Sequence, residues 1–235
     1  MRHFGIVGKP LEHSFSARYF TDKFQREGID ANYRLLPMDT IQGVTDVMDT
    51  LDGFNVTLPY KQAVIPYLTE IDPTAKAIGA VNVVRGRHGY NTDWIGFVDS
   101  IRPLLCEADK HALVLGTGGV SRAVLYGLQG LGLDCLSVSR TPHGDAIAYE
   151  EIDRSILDTH TVIVNCTPLG MYPSVDSCPC LPYEWIDSRH LLYDCVYNPG
   201  CTLFLRRGEE HGTRTKNGLE MLHLQAEAAW RIWNE

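Results

Sequence analysis

Lys61 is the first residue of the chain whose placement asks for chemistry. It closes the run Asn55-Val-Thr-Leu-Pro-Tyr-Lys61. Phe54 and Val56 read as the end of a buried strand, and Pro59 as the opening of a helix over Lys61 to Leu68, where a missing N–H costs nothing. A cation in the first turn of that helix would face the positive end of the helix dipole, a place that favours Asp or Glu. The misfit marks Lys61 as a candidate proton carrier, since a partly desolvated lysine can give up and recover a proton in catalysis. A solvated surface lysine is the alternative, and this segment alone supports both.

A second pattern is chemically more specific. His111-Ala-Leu-Val-Leu-Gly116-Thr-Gly118-Gly119-Val-Ser121-Arg122 is a buried strand running into a glycine-rich turn and then a helix. In that setting the glycines let backbone N–H groups reach a pyrophosphate at the helix N-terminus, and Ser121 is small enough for close helix packing. The next strand, Cys135-Leu-Ser-Val138, ends in Ser139-Arg140-Thr141. An enzyme selective for NAD would carry Asp or Glu there to accept from the ribose 2′-hydroxyl, whereas an arginine with two hydroxyls suits a 2′-phosphate, so the reading is NADP. Asn165-Cys-Thr167-Pro168-Leu-Gly170-Met171 ends a further strand, and in a doubly wound sheet such turns face the ligand crevice. Met171 and Gly170 are candidates to flank a nicotinamide ring.

The elements that must position these residues alternate. Strands are expected at Phe4–Val7, Ala31–Leu36, up to Thr57, Ala80–Arg85, His88–Tyr90, His111–Leu115, Asp134–Val138, Thr161–Asn165 and Leu191–Asp194. Helices are expected at Ser16–Glu27 (hydroxyl-capped, stopped by Gly28), Val44–Met48, Lys61–Leu68, Pro73–Ile78, Asp93 to before Pro103, Val120–Leu131, Thr202–Glu210 and Leu219–Trp233. Alternation of this kind argues for an α/β fold with mainly parallel sheets. A seam at Pro103 to Lys110, where the apolar periodicity lapses, suggests two domains. The last helix carries Leu222, Ala226, Ala229 and Trp233 on one side.

The 235 residues, 44% hydrophobic and 21% charged, fit a globular protein, and the net charge of −8 argues against nucleic-acid or anionic-membrane partners. No stretch reads as a membrane helix and the amino terminus reads as strand, not signal peptide. The seven cysteines are scattered without a C-x-x-C pair, so no metal is expected and reduced thiols in a cytoplasm are the favoured reading.

Taken in order, these motifs resemble the shikimate dehydrogenase family along nearly the whole chain. Gly8-Lys-Pro-Leu-Glu-His13-Ser14-Phe-Ser16 resembles its substrate motif and Asn55 to Lys61 its catalytic-lysine motif. Ile78-Gly-Ala-Val-Asn82 and Asn91-Thr-Asp93-Trp-Ile-Gly96 resemble the segments with a ring-hydroxyl ligand and the catalytic aspartate. Gly116 to Ser121, Ser139 to Thr141 and Asn165 to Met171 resemble its NADP loop, adenosine-phosphate clamp and nicotinamide-side turn. Tyr193-Asp194-Cys-Val-Tyr197-Asn-Pro199 and Asn217-Gly218-Leu-Glu-Met-Leu-His-Leu-Gln225 resemble the segments supplying a substrate tyrosine and glutamine. There are departures. Val83 replaces a usual threonine after Asn82, Ala17 a proline and Ser139 an asparagine, and Gly144 falls where a second basic residue often holds the 2′-phosphate, with His143 beside it.

The resemblance implies a substrate domain over 1–100 completed by a helix at 218–235, and a Rossmann domain over 101–217. It implies NADP-dependent interconversion of shikimate and 3-dehydroshikimate by a monomer or homodimer. Lys61 and Asp93 would be catalytic, and Ser14, Ser16, Thr57, Asn82, Tyr197 and Gln225 would bind substrate. Gly116, Gly118, Gly119, Val120 and Ser121, then Ser139, Arg140 and Thr141, then Thr167, Gly170, Met171 and Gly218, would meet the cofactor. His13 is read as a structural support. Ser16 and Asp93 also read as helix caps, and Gln225 as a solvated helix position. The rival functions are a quinate/shikimate dehydrogenase using NAD as well as NADP, a folate-pathway dehydrogenase, and a non-catalytic NADP-binding protein.

Overall fold

The computed structural model describes residues 1–11 and 14–235; His13 lies outside the described residues. By packing the chain divides into two units, one of residues 1–92 with 226–235 and one of residues 93–225.

In the first unit, β1 (Arg2–Gly8), α1 (Phe15–Glu27), β2 (Ala31–Pro37), α2 (Val44–Thr50) and β3 (Gly53–Val56) are followed by β4 (Glu70–Ile71), α3 (Pro73–Ile78), β5 (Val83–Arg85) and β6 (His88–Tyr90). The sheet order is β2-β1-β3-β5-β6-β4. Strands β2, β1 and β3 run parallel, and β5 turns the sheet antiparallel. One face is filled by Val7, Phe54, Val56, Val64 and Val84, the other by Phe4, Phe20, Phe24, Ala226, Ala229 and Trp233. The stretch expected as a helix over Lys61–Leu68 is instead a chain of turns ending in one 3₁₀ turn, Ile65–Tyr67. Pro66 lacks the N–H that would continue an α-helix there, and its ring disfavours helical backbone at Ile65. Lys61 therefore does not stand in the first turn of an α-helix and faces no helix dipole there. The strand expected from Ala80 begins only at Val83, because Val81 N–H bonds the Lys61 carbonyl and the Asn82 carbonyl accepts from Val56 N–H. Ser14 stands at the N-cap of α1 without a side-chain capping bond, and Gly28 ends that helix with left-handed backbone (φ 64°).

In the second unit, α4 (Asp93–Ile101), β7 (His111–Leu115), α5 (Gly119–Gly130), β8 (Asp134–Val138), α6 (Arg154–Thr159) and β9 (Val162–Asn165) come first. They are followed by β10 (Leu191–Asp194), α7 (Leu203–Glu210), β11 (Arg214–Lys216) and α8 (Leu219–Asn234), whose last turns belong to the first unit. The sheet order is β11-β10-β9-β7-β8, parallel throughout. Strands buried on both faces carry near-continuous apolar runs, as Leu113, Val114 and Leu115 and then Val162, Ile163 and Val164 do. No helix among the described residues is long and apolar enough to cross a membrane.

Candidate active site

In the first unit the singled-out residues gather at the carboxyl ends of β1 and β3. Thr57 N–H bonds the Val7 carbonyl, and Thr57 accepts at its carbonyl from Tyr60 N–H, which sets the turn that carries Lys61. Lys61 is only 8% exposed, an unusual burial for an ammonium. Asn82, 3% exposed, lies beside the same strand end. Its carboxamide oxygen accepts from Thr92 N–H (2.7 Å) and its Nδ2 donates to the Thr92 hydroxyl (3.1 Å). Asp93 follows Thr92 directly in the chain, so Asn82 fixes the backbone that introduces the second candidate catalytic group.

Ser14 and Ser16 differ. The Ser14 hydroxyl is buried and has no hydrogen-bond partner among the described residues, whereas Ser16 bonds the Tyr33 phenol. Burial pushes that phenol well above its usual range, so Tyr33 stays neutral. It also donates to Asn55 Oδ1 at 2.6 Å.

In the second unit Asp93 opens α4 and is 6% exposed. Helix α4 lies directly on α8: a Cβ added at Gly96 would stand 2.4 Å from the Met221 carbonyl oxygen and 2.9 Å from Gln225 N. Gln225, 7% exposed, is buried and not a solvated position. Burial raises the Tyr197 phenol above its ordinary pKa, leaving it a neutral donor.

The order in which strands join the sheet of this unit reverses between β7 and β9, and a crevice of about 240 Å³ opens at their carboxyl ends. Ligands bind at such switch points. Five expected cofactor residues line it, Gly116, Gly118, Ser139, Arg140 and Thr167, together with Cys166 and Tyr149. Gly116 adopts φ 103°, a backbone that other residues rarely enter, and Gly118, the N-cap of helix α5, places no side-chain cap over its first N–H groups. A helix start of that kind is suited to a pyrophosphate. Ser121 is fully buried, and its hydroxyl has no partner among the described residues. Gly119, Val120, Thr141, Gly170, Met171 and Gly218 do not line the crevice as it stands; Gly218 packs on the Cys195 carbonyl, and Met171 is exposed. Tyr149 carried no signal in the sequence, because it reaches the crevice from a single 3₁₀ turn, Tyr149–Glu151; burial pushes its phenol up to about 12. Among the described residues no group of three or more His, Cys, Asp or Glu is placed to hold a metal.

A buried network steadies the crevice wall. Asn165 Oδ1 accepts from the Thr167 hydroxyl (2.6 Å) and Thr167 N–H (3.0 Å), while Asn165 Nδ2 donates to Asp194 (3.0 Å). Asp194 also accepts from Val196 N–H (3.0 Å) and the Thr202 hydroxyl (2.6 Å). Burial pushes the Asp194 carboxyl up to about 6, against the pull of those donors. A carboxyl raised in the folded state binds its proton more tightly there than in the unfolded chain. Stability therefore increases as pH falls from about 6 toward about 4, by about 3 kcal/mol from this group. Asp194→Asn is expected to remove that increment. Urea unfolding of both proteins between pH 4 and 7 checks it, and parallel curves would contradict the assignment.

The match with known proteins follows this geometry. The shikimate dehydrogenase substrate binding domain matches residues 6–84. Shikimate dehydrogenase (NADP(+)) of Desulforamulus reducens is 37% identical over 97% of this chain and 88% of its own. The chain belongs to the shikimate dehydrogenase family. Shikimate dehydrogenase (NADP(+)) of Syntrophomonas wolfei is 35% identical over 92% of this chain and 84% of its own. The structure of shikimate 5-dehydrogenase from Thermus thermophilus in complex with NADP(H) and shikimate has a TM-score of 0.88 and 31% identity over 99% of this chain and 93% of that one. Shikimate dehydrogenases are thus the frame for both units of this fold.

Proposed function

We propose that this protein is an NADP-dependent shikimate dehydrogenase that reduces 3-dehydroshikimate reversibly to shikimate, with Lys61 as proton donor and Asp93 orienting it. The observation that carries this reading is a lysine 8% exposed at the carboxyl end of β3, next to an asparagine whose carboxamide fixes the residue preceding a buried aspartate. Burying an ammonium is costly, and a fold that does so without function gains nothing from it.

The glycine turn, the uncapped start of α5 and Arg140 fit NADP, which supplies or accepts the hydride when bound. As the substrate carbonyl is reduced, negative charge grows on its oxygen. Lys61 stabilises that charge and donates the proton, and Asp93 holds the lysine and the reacting hydroxyl in line. Ser14, Ser16 and Tyr197 hold the substrate carboxylate as neutral donors; the Ser14 hydroxyl, buried and without a partner among the described residues, supports its share in this. Thr57, Asn82 and Gln225 take the ring hydroxyls. Scattered reduced cysteines agree with a cytoplasmic enzyme.

The test is direct: absorbance of the reduced cofactor should rise when purified protein meets shikimate and NADP. No rise would end the reading. Arg140→Ala should raise the KM for NADP by about 10- to 100-fold, the value of a charge-assisted phosphate contact, and leave that for NAD unchanged. Equal losses with both cofactors would remove Arg140 from the 2′-phosphate.

A further inference from the structure

Cys166 and Cys195 stand side by side in the second unit with Sγ atoms 3.8 Å apart. Their proximity follows from the register. Strands β9 and β10 pair in parallel up to Asn165 beside Asp194, and Cys195 N–H bonds the Asn165 carbonyl at 2.9 Å, so the next step sets the two cysteines abreast. Neighbouring strands lie about 4.8 Å apart, inside the range of Cα separations that a disulfide spans, about 4.4–6.8 Å. Cys166 also lines the dinucleotide crevice, between Gly116 and Thr167.

We infer that Cys166 and Cys195 are a reversible thiol–disulfide pair, oxidised by a hydroperoxide, whose closure reshapes the wall of the dinucleotide crevice and weakens cofactor binding. The effect on binding rests on the reading of that crevice as the NADP site. In the first step the Cys166 thiolate attacks one peroxide oxygen, the O–O bond breaks, and the leaving hydroxide takes a proton to become water. The product is a sulfenic acid. The Cys195 sulfur then attacks the sulfenic sulfur, the S–O bond breaks, and the departing oxygen leaves as a second water with the Cys195 proton. Two thiols lose two electrons in all, and one hydrogen peroxide is reduced to two waters.

Cys166 is the member of the pair that lines the crevice, and it takes the first step. The bond to Cys166 and burial keep the Cys195 thiol well above its usual pKa, so it stays protonated and leaves the peroxide-attacking step to Cys166. Closure must draw the sulfurs together by more than about 1.5 Å. The main chain of Cys195 has little room, since a Cβ placed at Gly218 would stand 2.3 Å from its carbonyl oxygen. The movement therefore falls on Cys166 and the turn through Thr167, whose N–H and hydroxyl both depend on Asn165. Each cysteine directly follows a member of the Asn165–Asp194 bond, so the disulfide distorts that support as well.

The test uses the whole reduced chain, treated with hydrogen peroxide. Intact mass should fall by about 2 Da. Trypsin cuts after Arg154, Arg189 and Arg206, so the bond should join peptide 155–189 to peptide 190–206, with fragment ions placing it at Cys166. The link should survive Cys201→Ala and vanish in Cys195→Ala. Binding of NADPH, followed by its fluorescence, should weaken at least about tenfold on oxidation and recover with dithiothreitol. In Cys195→Ala the recoverable part of that loss should disappear. A missing link, a link that survives Cys195→Ala, or an oxidised protein that binds NADPH as the reduced one does would each overturn the inference. Failure of the untreated protein to reduce NADP with shikimate would instead count against the proposed function, and the mass measurement is independent of it.

Discussion

Lys61→Ala is expected to lower kcat by about 10²- to 10⁴-fold, the usual contribution of one positioned proton donor that also meets developing charge. The KM for NADP should stay within about twofold, because the lysine lies on the β3 turn of the first unit and the dinucleotide crevice is built wholly from the second. A loss confined to kcat and kcat/KM in equal measure would identify an interaction made mainly in the transition state. The lysine is 8% exposed, so a purely structural role is the competing explanation. Two further readings separate them. A catalytic lysine should lose turnover per folded molecule, whereas a structural one should lose only folded protein, since removing one member of a buried charge pair lowers the urea midpoint in both cases. Lys61→Arg should not rescue turnover, since a guanidinium keeps its charge but cannot release a proton in this range. Steady-state rates within tenfold of the parent in Lys61→Ala would remove the mechanism.

Much of the site was legible because the chemistry depends on short, contiguous patterns. The glycine turn could be read from a strand before it and a helix after it, and the structure places Gly116 and Gly118 at the point where the strand order reverses. Arg140 could be read from its place at the end of the second strand of that unit, and it lines the same crevice. Other parts were not legible, each for a physical reason. The turns after Thr57 imitate a helix in composition, and only Pro66, several residues on, prevents one. Helix α6 and strand β11 are a six-residue and a three-residue element, too short to show a period. The support of Thr167 by Asn165 and Asp194 runs across strands 29 positions apart, and no spacing within a motif encodes it. Tyr149 reaches the crevice from a single 3₁₀ turn, too short to show a period. The helix-dipole misfit expected at Lys61 is absent from the fold, and what marks this lysine is its burial.

The final helix offers the second large effect, on stability. Its apolar side was legible, but not what it covers. Trp233, 4% exposed, stacks on Phe4 with ring centroids 4.9 Å apart, packs 5.1 Å from Phe20, and donates its indole N–H to the Val84 carbonyl at 3.1 Å. Residues 226–235 thereby cover the sheet face opposite α2. Trp233→Ala is expected to cost about 3–5 kcal/mol, the range for deleting a buried tryptophan, with the orphaned Val84 carbonyl adding to the loss. Urea unfolding reads this as a lower midpoint, and for the folded fraction kcat should remain near that of the parent. Gly53→Ala approaches the same contact from the opposite side: its Cβ would stand 2.3 Å from the Trp233 ring, so the ring or β3 must shift. If the indole is the closure of this core, the two variants should weaken the same transition, and their double variant should cost less than the sum, because removing the ring removes the clash. A Trp233→Ala protein that unfolds at the parental midpoint would show that the last turns of α8 are dispensable to the unit they pack against.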